Sequence, residues 1–456
     1  MCTTRISTES KLGLFLLLCP QGGSATIRSA MLVLIATLLA VSPLPIRAAA
    51  PDSVLEWIGV MNDTVLAAHT APNVTSRIVA LVSASVFDAV NGIEPRFRPL
   101  LVKPDAPHGA SQRAAAIQAA YAILLNLYPA QSGTLTTRRD ASVAALASGE
   151  KAEDIAAGVA WGQKVANAVW AARLTDGFNP APPPFIGVQG LAATAADGFW
   201  RPTPPANAFG ATPQIATMTP WVLTRPSQFR LPPPLERTSA EYAADLNEVK
   251  DMGSLSSVGT DRSKTALFWA LNTPLAWDRI AAQISTKRGL TLTENAHLFA
   301  LLNVSLSDAL IACWDSKYRY VFWRPITAIR AGLTPADADP TWEPLLDSLR
   351  VNPGTPAHPE YPSAHSSLSG AAAFILAAAF GENTTFTATS EILPDSPRTY
   401  SSFSDATAEI ADARVFGGIH FRTSCVRANK LGRAVAEYVS RHAMRARGDD
   451  REDDRD

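Results

Sequence analysis

The stretch Thr293–Pro325, TENAHLFALLNVSLSDALIACWDSKYRYVFWRP, decides the fold class of this 456-residue chain. Its leucines recur at spacings of three and four residues, which is the spacing of one face of an α-helix. They are Leu298, Leu301, Leu302, Leu306 and Leu310. No other segment of the sequence is periodic over such a length, and we predict one long helix over residues 293–323.

Helical patterns also occur on either side of this segment. Apolar residues follow helical spacing over Ser76–Val90, and the Ala-rich segments 114–127 and 153–172 contain few helix breakers. Alternation typical of β-strands is not sustained anywhere. We therefore predict an all-α protein with an N-terminal helical half over residues 51–178 and a C-terminal helical half over 236–443.

A Pro-rich belt, residues 179–235, separates the two halves. Proline fixes φ and removes a backbone donor, so the runs 182–184 and 232–234 exclude regular helix. The belt also carries more aromatic side chains than a solvated linker does. These are Phe185, Phe199, Trp200, Trp221 and Phe229. We predict that the belt is an ordered strap wrapped over the helices.

The composition is that of a charge-balanced globular protein. The chain has 40 Lys and Arg residues against 41 Asp and Glu residues, and 47% of its residues are hydrophobic. A formal net charge of −1 excludes the broad basic surface that nucleic-acid binding requires. Four cysteines are too few for a disulfide scaffold, so a hydrophobic core must hold the fold together.

Residues 1–50 have the pattern of an export signal. Arg28 precedes an apolar run that begins at Met31, MLVLIATLLAVSPLPIRAAA, and ends in small residues at 48–50. We predict a signal peptide with Met31 as the true start, and export to the periplasm or the extracellular space. An uncleaved membrane anchor is the alternative, although the run is short for a span of about 20 residues.

The mature chain is expected to lack a membrane span, because no uninterrupted apolar stretch after residue 50 is long enough. Cys313 and Cys425 remain after removal of the leader, and they either pair or stay as two separate buried thiols. Residues 444–456 are predicted to be a disordered tail. From Arg445 onward they mix both signs of charge and contain no large apolar side chain.

The first of three notable segments, Lys317–Pro325, ends the long helix. Lys317 and Arg324 are seven residues apart, so they point to the same side if the helix reaches that far. Pro325 is expected to stop the helix just beyond Arg324. Two cations on one face usually mark a solvated surface. These lie among aromatic residues, which indicates a partly buried face that needs an anionic partner. The aromatic residues are Tyr318, Tyr320, Phe322 and Trp323.

The second segment is Tyr361–Ser366, YPSAHS, which precedes the Ala-rich run Leu368–Phe380. A proline turn that leads into a helix presents free backbone N–H groups and the positive end of the helix dipole to an anion. The simpler interpretation is that Ser363 or Ser366 is an N-cap and that His365 is a bystander.

The third segment is Arg414–His420, RVFGGIH. The pair Gly417-Gly418 permits a sharp change of direction between the arginine and the histidine. A neutral imidazole at His420 can act as a nucleophile or a metal ligand. A single histidine after a glycine pair is, however, more often structural.

Together the three segments resemble the tripartite signature of the vanadium-dependent haloperoxidase and type 2 phosphatidic acid phosphatase superfamily. K-x6-RP from Lys317, PSAH from Pro362 and R-x5-H from Arg414 match that signature in order and internal spacing. The helical halves and the Pro-rich strap are similar to the bacterial haloperoxidase-like branch. The resemblance implies helical bundles of the haloperoxidase and acid phosphatase type.

The resemblance also implies an oxyanion site for vanadate, for which phosphate would compete. Lys317, Arg324 and Arg414 would hold the equatorial oxygens of the anion. Ser363 and the backbone N–H of Ala364 would add hydrogen bonds.

The catalytic roles that the resemblance implies fall on two histidines and the lysine. His365 would be the acid–base residue, and Lys317 would polarise bound peroxide. His420 would bond the central atom, as the vanadium ligand of a haloperoxidase or as the phosphorylated nucleophile of a phosphatase. Trp323 would either shape a halide site beside the cations or pack in the core.

The sequence departs from the superfamily pattern at three positions. Ala364 replaces the usual glycine between serine and histidine, and the backbone N–H survives this change. The phosphatase form has a serine before the arginine and an aspartate four residues after the histidine, where this chain has Ala413 and Ser424. His420 therefore needs another orienting partner, which weakens the phosphatase interpretation. Glu360, His358, Asp308 and Asp315 lie near the motifs and are candidates, although each is also explicable as a helix-end or surface residue.

The resemblance implies a vanadium-dependent haloperoxidase, an oxidoreductase that oxidises chloride or bromide with hydrogen peroxide. The first alternative is a soluble exported acid phosphatase that uses a phosphohistidine intermediate to hydrolyse a phosphate ester. The second is an inactive secreted protein that only binds an oxyanion. In each case the expected partners are small molecules, with no nucleic acid, and a homodimer is left open.

Overall fold

The predicted all-α class is confirmed in a computed structural model, which describes residues 52–188, 198–351 and 354–448. Five helices precede the Pro-rich belt, and they are α1 (Ser53–Ala67), α2 (Pro72–Ile93), α3 (Gln112–Leu127), α4 (Ser132–Leu146) and α5 (Ala152–Arg173). The predicted helices at 76–90, 114–127 and 153–172 lie within α2, α3 and α5.

Nine helices and one small sheet follow the belt in the described part of the chain. The helices are α6 (Ala240–Met252), α7 (Asp261–Phe268), α8 (Thr273–Arg288), α9 (Leu292–Tyr320), α10 (Pro325–Ala331), α11 (Leu345–Ser348), α12 (Ala364–Phe380), α13 (Phe403–Phe416) and α14 (Arg422–His442). The sheet is an antiparallel pair of three-residue strands, β1 (Phe386–Ala388) and β2 (Arg398–Tyr400).

Helix α9, predicted from the leucine pattern, is the central element. It contacts α2 of the N-terminal half and α12 and α14 of the C-terminal half. A capping box begins it: the Thr291 hydroxyl accepts from the Glu294 N–H, and the Glu294 carboxylate accepts from the Thr291 N–H. The two halves therefore pack around one shared helix that is buried along most of its length.

The end of α9 differs from the prediction. The helix stops at Tyr320, and Val321 adopts a left-handed conformation with φ of 51°. Arg324 lies in extended backbone as the N-cap of α10, and Pro325 begins that helix instead of stopping the previous one. Proline suits the first helical position because the N–H that it lacks would have no acceptor within the helix. The expectation that one helix face carries both Lys317 and Arg324 is therefore wrong.

The Pro-rich belt packs against the helices in the residues described. The carboxylate of Asp308 on α9 accepts three backbone N–H groups from residues 221–223, at 2.7 to 3.0 Å. Trp200 is buried, and its N–H donates to the Val321 carbonyl at the end of α9. These contacts make the described part of the belt an ordered strap. Residues 189–197 lie outside the described residues.

The chain termini give a mixed outcome. The predicted leader, 1–50, and residues 449–456 lie outside the described residues. The beginning of the predicted tail is ordered, because Ala446 pairs with Phe97 in an antiparallel bridge and the Arg98 N–H donates to the Arg445 carbonyl at 2.8 Å. The prediction of a disordered tail is therefore wrong for residues 444–448.

Two helices, α2 and α9, have the length and mean hydropathy of a membrane span. Their most apolar 18-residue windows are 94% and 89% buried inside the protein. Such burial is typical of core helices. Cys313 and Cys425 are both free and buried, so they are two separate thiols and not a disulfide.

Candidate active site

The three segments singled out in the sequence meet at one place in the fold. Lys317 lies in the last turn of α9, and Arg324 caps α10. Ser363 is the N-cap of α12, where its side chain accepts from the Ser366 N–H. Arg414 lies in the last turn of α13, and His420 lies in the short connection from α13 to α14. Helix ends therefore present every one of these side chains.

Arg324 joins the residues just before the second segment to the third segment. Its guanidinium is fully buried, and Nε donates to the His358 carbonyl at 2.9 Å. Nη1 donates to the Ile419 carbonyl at 2.9 Å and lies 3.2 Å from Nε2 of His420. Because a guanidinium is always a donor, one side chain fixes the backbone on both sides of the site.

The other two cations are also buried and also bind carbonyl oxygens. Nζ of Lys317 donates to the carbonyls of Pro359 at 2.7 Å and Glu360 at 2.9 Å. Nη1 of Arg414 donates to the Trp269 carbonyl at 3.3 Å. Within the described part of the chain, no ion pair involves Lys317, Arg324 or Arg414, whereas many other buried or half-buried arginines pair with carboxylates.

Burial without a paired anion makes the charged form of each cation unfavourable. It lowers the pKa of Lys317 to about 7 and the pKa values of Arg324 and Arg414 to about 10. An anion placed among these groups would stabilise the charged form of each cation, so the cluster has the electrostatics of an anion site.

The hydrogen bonds of His420 define its tautomer. Nε2 faces the Arg324 guanidinium, which only donates, so Nε2 is the acceptor. Nδ1 therefore carries the proton, and it lies 2.7 Å from Oε1 of Glu360. Burial, followed by the nearby cations, holds the pKa of His420 well below its usual range. The ring is thus neutral and presents the lone pair of Nε2 toward the cations.

A cavity of about 200 Å³ opens beside His420. His365, in the first turn of α12, lines it together with His358 and Ala364. Burial, followed by the charge of Arg414, holds the pKa of His365 well below its usual range. Trp314 and Leu368 contribute apolar wall, and the first residues of α2 and α8 close the side that faces the N-terminal half. The site therefore combines polar groups at one end with an apolar chamber.

Not all sequence candidates belong to the site. Asp308 anchors the strap, and Asp315 pairs with Arg230 at 2.6 Å, so neither orients the cations. Trp323 is a core residue whose indole N–H donates to the Tyr242 hydroxyl at 2.9 Å. It does not line the cavity, and Trp314, which the sequence reasoning missed, does so instead.

Glu360 and His358 do belong to the site. His358 accepts from Nη2 of Arg324 at 3.0 Å, and its ring lies 4.9 Å from that of Trp314. Both residues lie within a few positions of Ser363, between prolines, which was the signal available in the sequence. Nothing in the sequence showed which of the four nearby candidates would contact His420.

The site fits a small tetrahedral oxyanion. Nε of Arg414 and Nε2 of His365 are buried polar atoms without a hydrogen-bond partner among the described residues. Nε2 of His420 offers a lone pair, and the first turn of α12 supplies N–H groups that have no acceptor within the helix. Cationic donors, free N–H groups and one neutral imidazole are the donor set for a vanadate or phosphate bound through a histidine.

Comparison with known proteins identifies relatives. The family model for the second helical-bundle domain of vanadium chloroperoxidase (VCPO) matches residues 297–449. The vanadium chloroperoxidase of Curvularia inaequalis is 31% identical over 176 residues, which cover 32% of this chain and 29% of that protein. The chain thus matches less than a third of the length of this curated relative.

Solved structures extend the similarity over most of the chain. A bacterial vanadium-dependent iodoperoxidase superposes with a TM-score of 0.75 at 26% identity, covering 87% of this chain and 97% of that one. A holo-type bacterial vanadium-dependent chloroperoxidase gives a TM-score of 0.62 at 20% identity, covering 81% and 92%. The second likeness shows the fold alone.

The three sequence segments, their convergence at one anion site, the matched domain model and the shared helical fold agree with one another. Residues 297–449 match the second helical-bundle domain of vanadium chloroperoxidase, and the chain is similar over most of its length to a bacterial vanadium-dependent iodoperoxidase.

Proposed function

We propose that this protein is a vanadium-dependent haloperoxidase that oxidises halide with hydrogen peroxide. The observation that carries the proposal is the set of three buried cations without carboxylate partners, which lie with the unprotonated Nε2 of His420 beside a small cavity. When bound there, vanadate supplies the chemistry by activating hydrogen peroxide toward a halide ion, so the protein itself undergoes no redox change.

The residues of the chain hold the anion by charge and hydrogen bonds. Lys317, Arg324 and Arg414 would bind the equatorial oxygens, and Ser363 and the N–H of Ala364 would donate to the remaining oxygen positions. Nε2 of His420 would bind the central atom. Donors that are already fixed by carbonyl contacts need little reorganisation when the charge on the anion changes, which is the basis of electrostatic catalysis.

His365 is placed to move protons. Its ring is neutral and lines the cavity, and Nε2 has no partner among the described residues. A neutral imidazole can accept the proton that hydrogen peroxide loses and can return one to the departing oxygen. Lys317 would polarise the oxygen that the halide attacks.

The cavity suits small reactants. About 200 Å³ with a wall that includes Trp314 and Leu368 accommodates peroxide and a halide ion.

Phosphate-ester hydrolysis is the second candidate to be tested. The sequence has Ser424 where the phosphatase pattern has aspartate, yet Glu360 supplies a carboxylate to Nδ1 of His420. A histidine nucleophile would therefore be oriented, so hydrolysis must be assayed together with bromination.

Two assays on the same purified protein test the proposal. The protein is freed of anions, orthovanadate is added, and bromination of an organic dye by bromide and peroxide is measured beside hydrolysis of p-nitrophenyl phosphate. Vanadate-dependent bromination supports the haloperoxidase. Hydrolysis that vanadate inhibits supports the phosphatase, and tight vanadate binding with neither activity supports a protein that only binds the anion.

The control variants are two histidine substitutions. His420→Ala should abolish bromination, whereas His442→Ala changes an exposed ring near the end of α14 and should leave it unchanged. Full activity of the His420→Ala protein would overturn the site assignment.

We also infer that the protein acts after export, on the basis of the leader pattern at residues 1–50. N-terminal sequencing of the protein recovered from a secreting host tests this, and an intact leader on a cytoplasmic product would contradict it.

A further inference from the structure

We propose that Glu360 is the positioning residue of this site, because it fixes the His420 ring so that Nε2 faces the oxyanion. This inference rests on the proposed function. It gives Glu360, which directly precedes the second sequence segment, the role that the phosphatase pattern assigns to a carboxylate four residues after the histidine.

The contacts of the Glu360 carboxylate support this role. Oε1 lies 2.7 Å from Nδ1 of His420 and 3.1 Å from the backbone N of Phe421. A backbone N–H only donates, so Oε1 is an acceptor for both groups. Glu360 is fully buried and His420 is 1% exposed, so water does not compete for either side chain.

The tautomer follows from both sides of the ring. Arg324 donates toward Nε2 at 3.2 Å, and Glu360 accepts from Nδ1. Either contact alone would favour a proton on Nδ1. Together they exclude the tautomer protonated on Nε2, because its Nε2–H would face the N–H of Arg324. A histidine that binds a metal through one nitrogen commonly donates its other N–H to a carboxylate, which sets the ring orientation and raises ligand basicity.

The backbone of Glu360 is held as firmly as its side chain. Its N–H donates to the Phe322 carbonyl at 2.9 Å, and its carbonyl accepts from Nζ of Lys317 at 2.9 Å. Both partners belong to the first sequence segment, whereas the carboxylate contacts the third. Glu360 therefore links all three segments, and its position determines the distance between the cations and the ligand nitrogen.

The chain offers a position from which the same carboxylate function can be restored. Ser424 is buried in the first turn of α14 and lines the same small cleft as Glu360. It is also the position of the phosphatase aspartate. The double variant Glu360→Ala/Ser424→Asp therefore moves the carboxylate from one side of the cleft to the other without adding a residue to the cation cluster.

Two measurements on the full chain test the proposal. In protein without vanadate, ¹⁵N spectra of labelled histidine report the tautomer of His420, whose signals are identified by their loss in His420→Ala. Titration calorimetry with orthovanadate then gives the affinity. In the native protein we expect Nδ1 protonated and Nε2 unprotonated.

Three variants give a graded expectation. Glu360→Gln keeps an acceptor for Nδ1 but removes the charge, and Glu360→Ala removes both, so affinity should fall by about 10-fold and about 100-fold, the usual range for such partners. Glu360→Ala should also give mixed tautomer signals. Glu360→Ala/Ser424→Asp should recover the single tautomer and most of the affinity.

The control is Asp88→Asn, which alters a buried carboxylate that accepts three backbone N–H groups far from the cations. It should lower stability without changing the tautomer or vanadate affinity. Unchanged tautomer and affinity in Glu360→Ala would overturn the proposal. The proposal would also be overturned if Glu360→Ala lowers vanadate affinity, the double variant Glu360→Ala/Ser424→Asp does not restore it, and thermal unfolding shows that both variants are folded.

The tautomer measurement needs no vanadate. It can therefore succeed even if bromination fails in the native protein, and the two failures remain distinguishable.

Discussion

Replacing Gly418 by alanine tests how the third segment places His420. Gly418 has φ of +75°, and a Cβ built there would collide with the carbonyl oxygen of Gly253 and lie 2.8 Å from Cα of Pro344. Both neighbours are backbone atoms, so no side chain can move aside. The connection from α13 to α14 must therefore shift if the substitution is made.

The magnitude follows from the two penalties. A left-handed conformation costs an alanine about 1–2 kcal/mol, and overpacking costs about 1–3 kcal/mol. We expect Gly418→Ala to lower the free energy of unfolding by about 2–5 kcal/mol. His420 follows two residues later, and a displacement of about 1 Å at a reacting group lowers turnover by about 100-fold.

Gly417→Ala is the matched control. Gly417 has φ of −73°, which alanine adopts freely, and its added Cβ would lie 2.9 Å from Cδ1 of Leu346, a side-chain atom that can shift more easily than backbone. We expect a loss of about 1 kcal/mol or less and native vanadate affinity. Urea unfolding and vanadate titration of both variants check this. Native stability and affinity for Gly418→Ala, or a larger loss for Gly417→Ala, would refute the reasoning.

Two further predictions concern protonation. Burial raises the pKa of Asp278 from 3.8 to about 7, so its contribution to stability is present below pH 3.8 and is lost as the pH rises through 7. Asp278→Asn keeps an acceptor for Nδ2 of Asn303. In urea unfolding at pH 8, it should raise the free energy of unfolding by up to ~4 kcal/mol, with little gain at pH 4. Equal gains in the free energy of unfolding at both pH values would contradict the assignment. His365→Ala should keep vanadate affinity within a few fold but lower the kcat of bromination by about 10²–10⁴-fold, and a variant with native kcat would show that another group moves the proton.

The sequence was sufficient to predict α2, α3, α5 and α9 because the patterns of these helices are local. The leucine spacing of α9 and the Ala-rich composition of α3, α5 and α12 each act within one element, and the capping box at Thr291 fixes where α9 begins. The end of α9 could not be predicted in the same way. Val321 is β-branched and unusual in a left-handed conformation, and its place there depends on the strap, whose Trp200 N–H binds the Val321 carbonyl.

The site was predictable as a set of motifs but not as a set of contacts. The resemblance of the three segments to the superfamily signature pointed to Lys317, Arg324, His365, Arg414 and His420, and the structure brings them together. The partner of His420 depended on how residues 358–360 cross between α9 and the α13–α14 connection. That arrangement is long-range, since Glu360 and His420 are 60 residues apart.

Trp314 and Trp323 show the same limit of prediction from sequence within one segment. A helix running to residue 324 would have put Trp323 beside the cations. Because α9 ends early, Trp323 turns into the core beside Tyr242, and Trp314, one helical turn before Lys317, faces the cavity instead.

The most direct test of the central claim is the position of vanadium in crystals of the protein grown with orthovanadate. An anomalous difference map recorded above the vanadium absorption edge locates the metal without reference to activity. The account predicts one peak per chain, at bonding distance from Nε2 of His420, with oxygen density contacting Lys317, Arg324 and Arg414. A peak elsewhere, or a bound anion that leaves Nε2 of His420 uncoordinated, would contradict it.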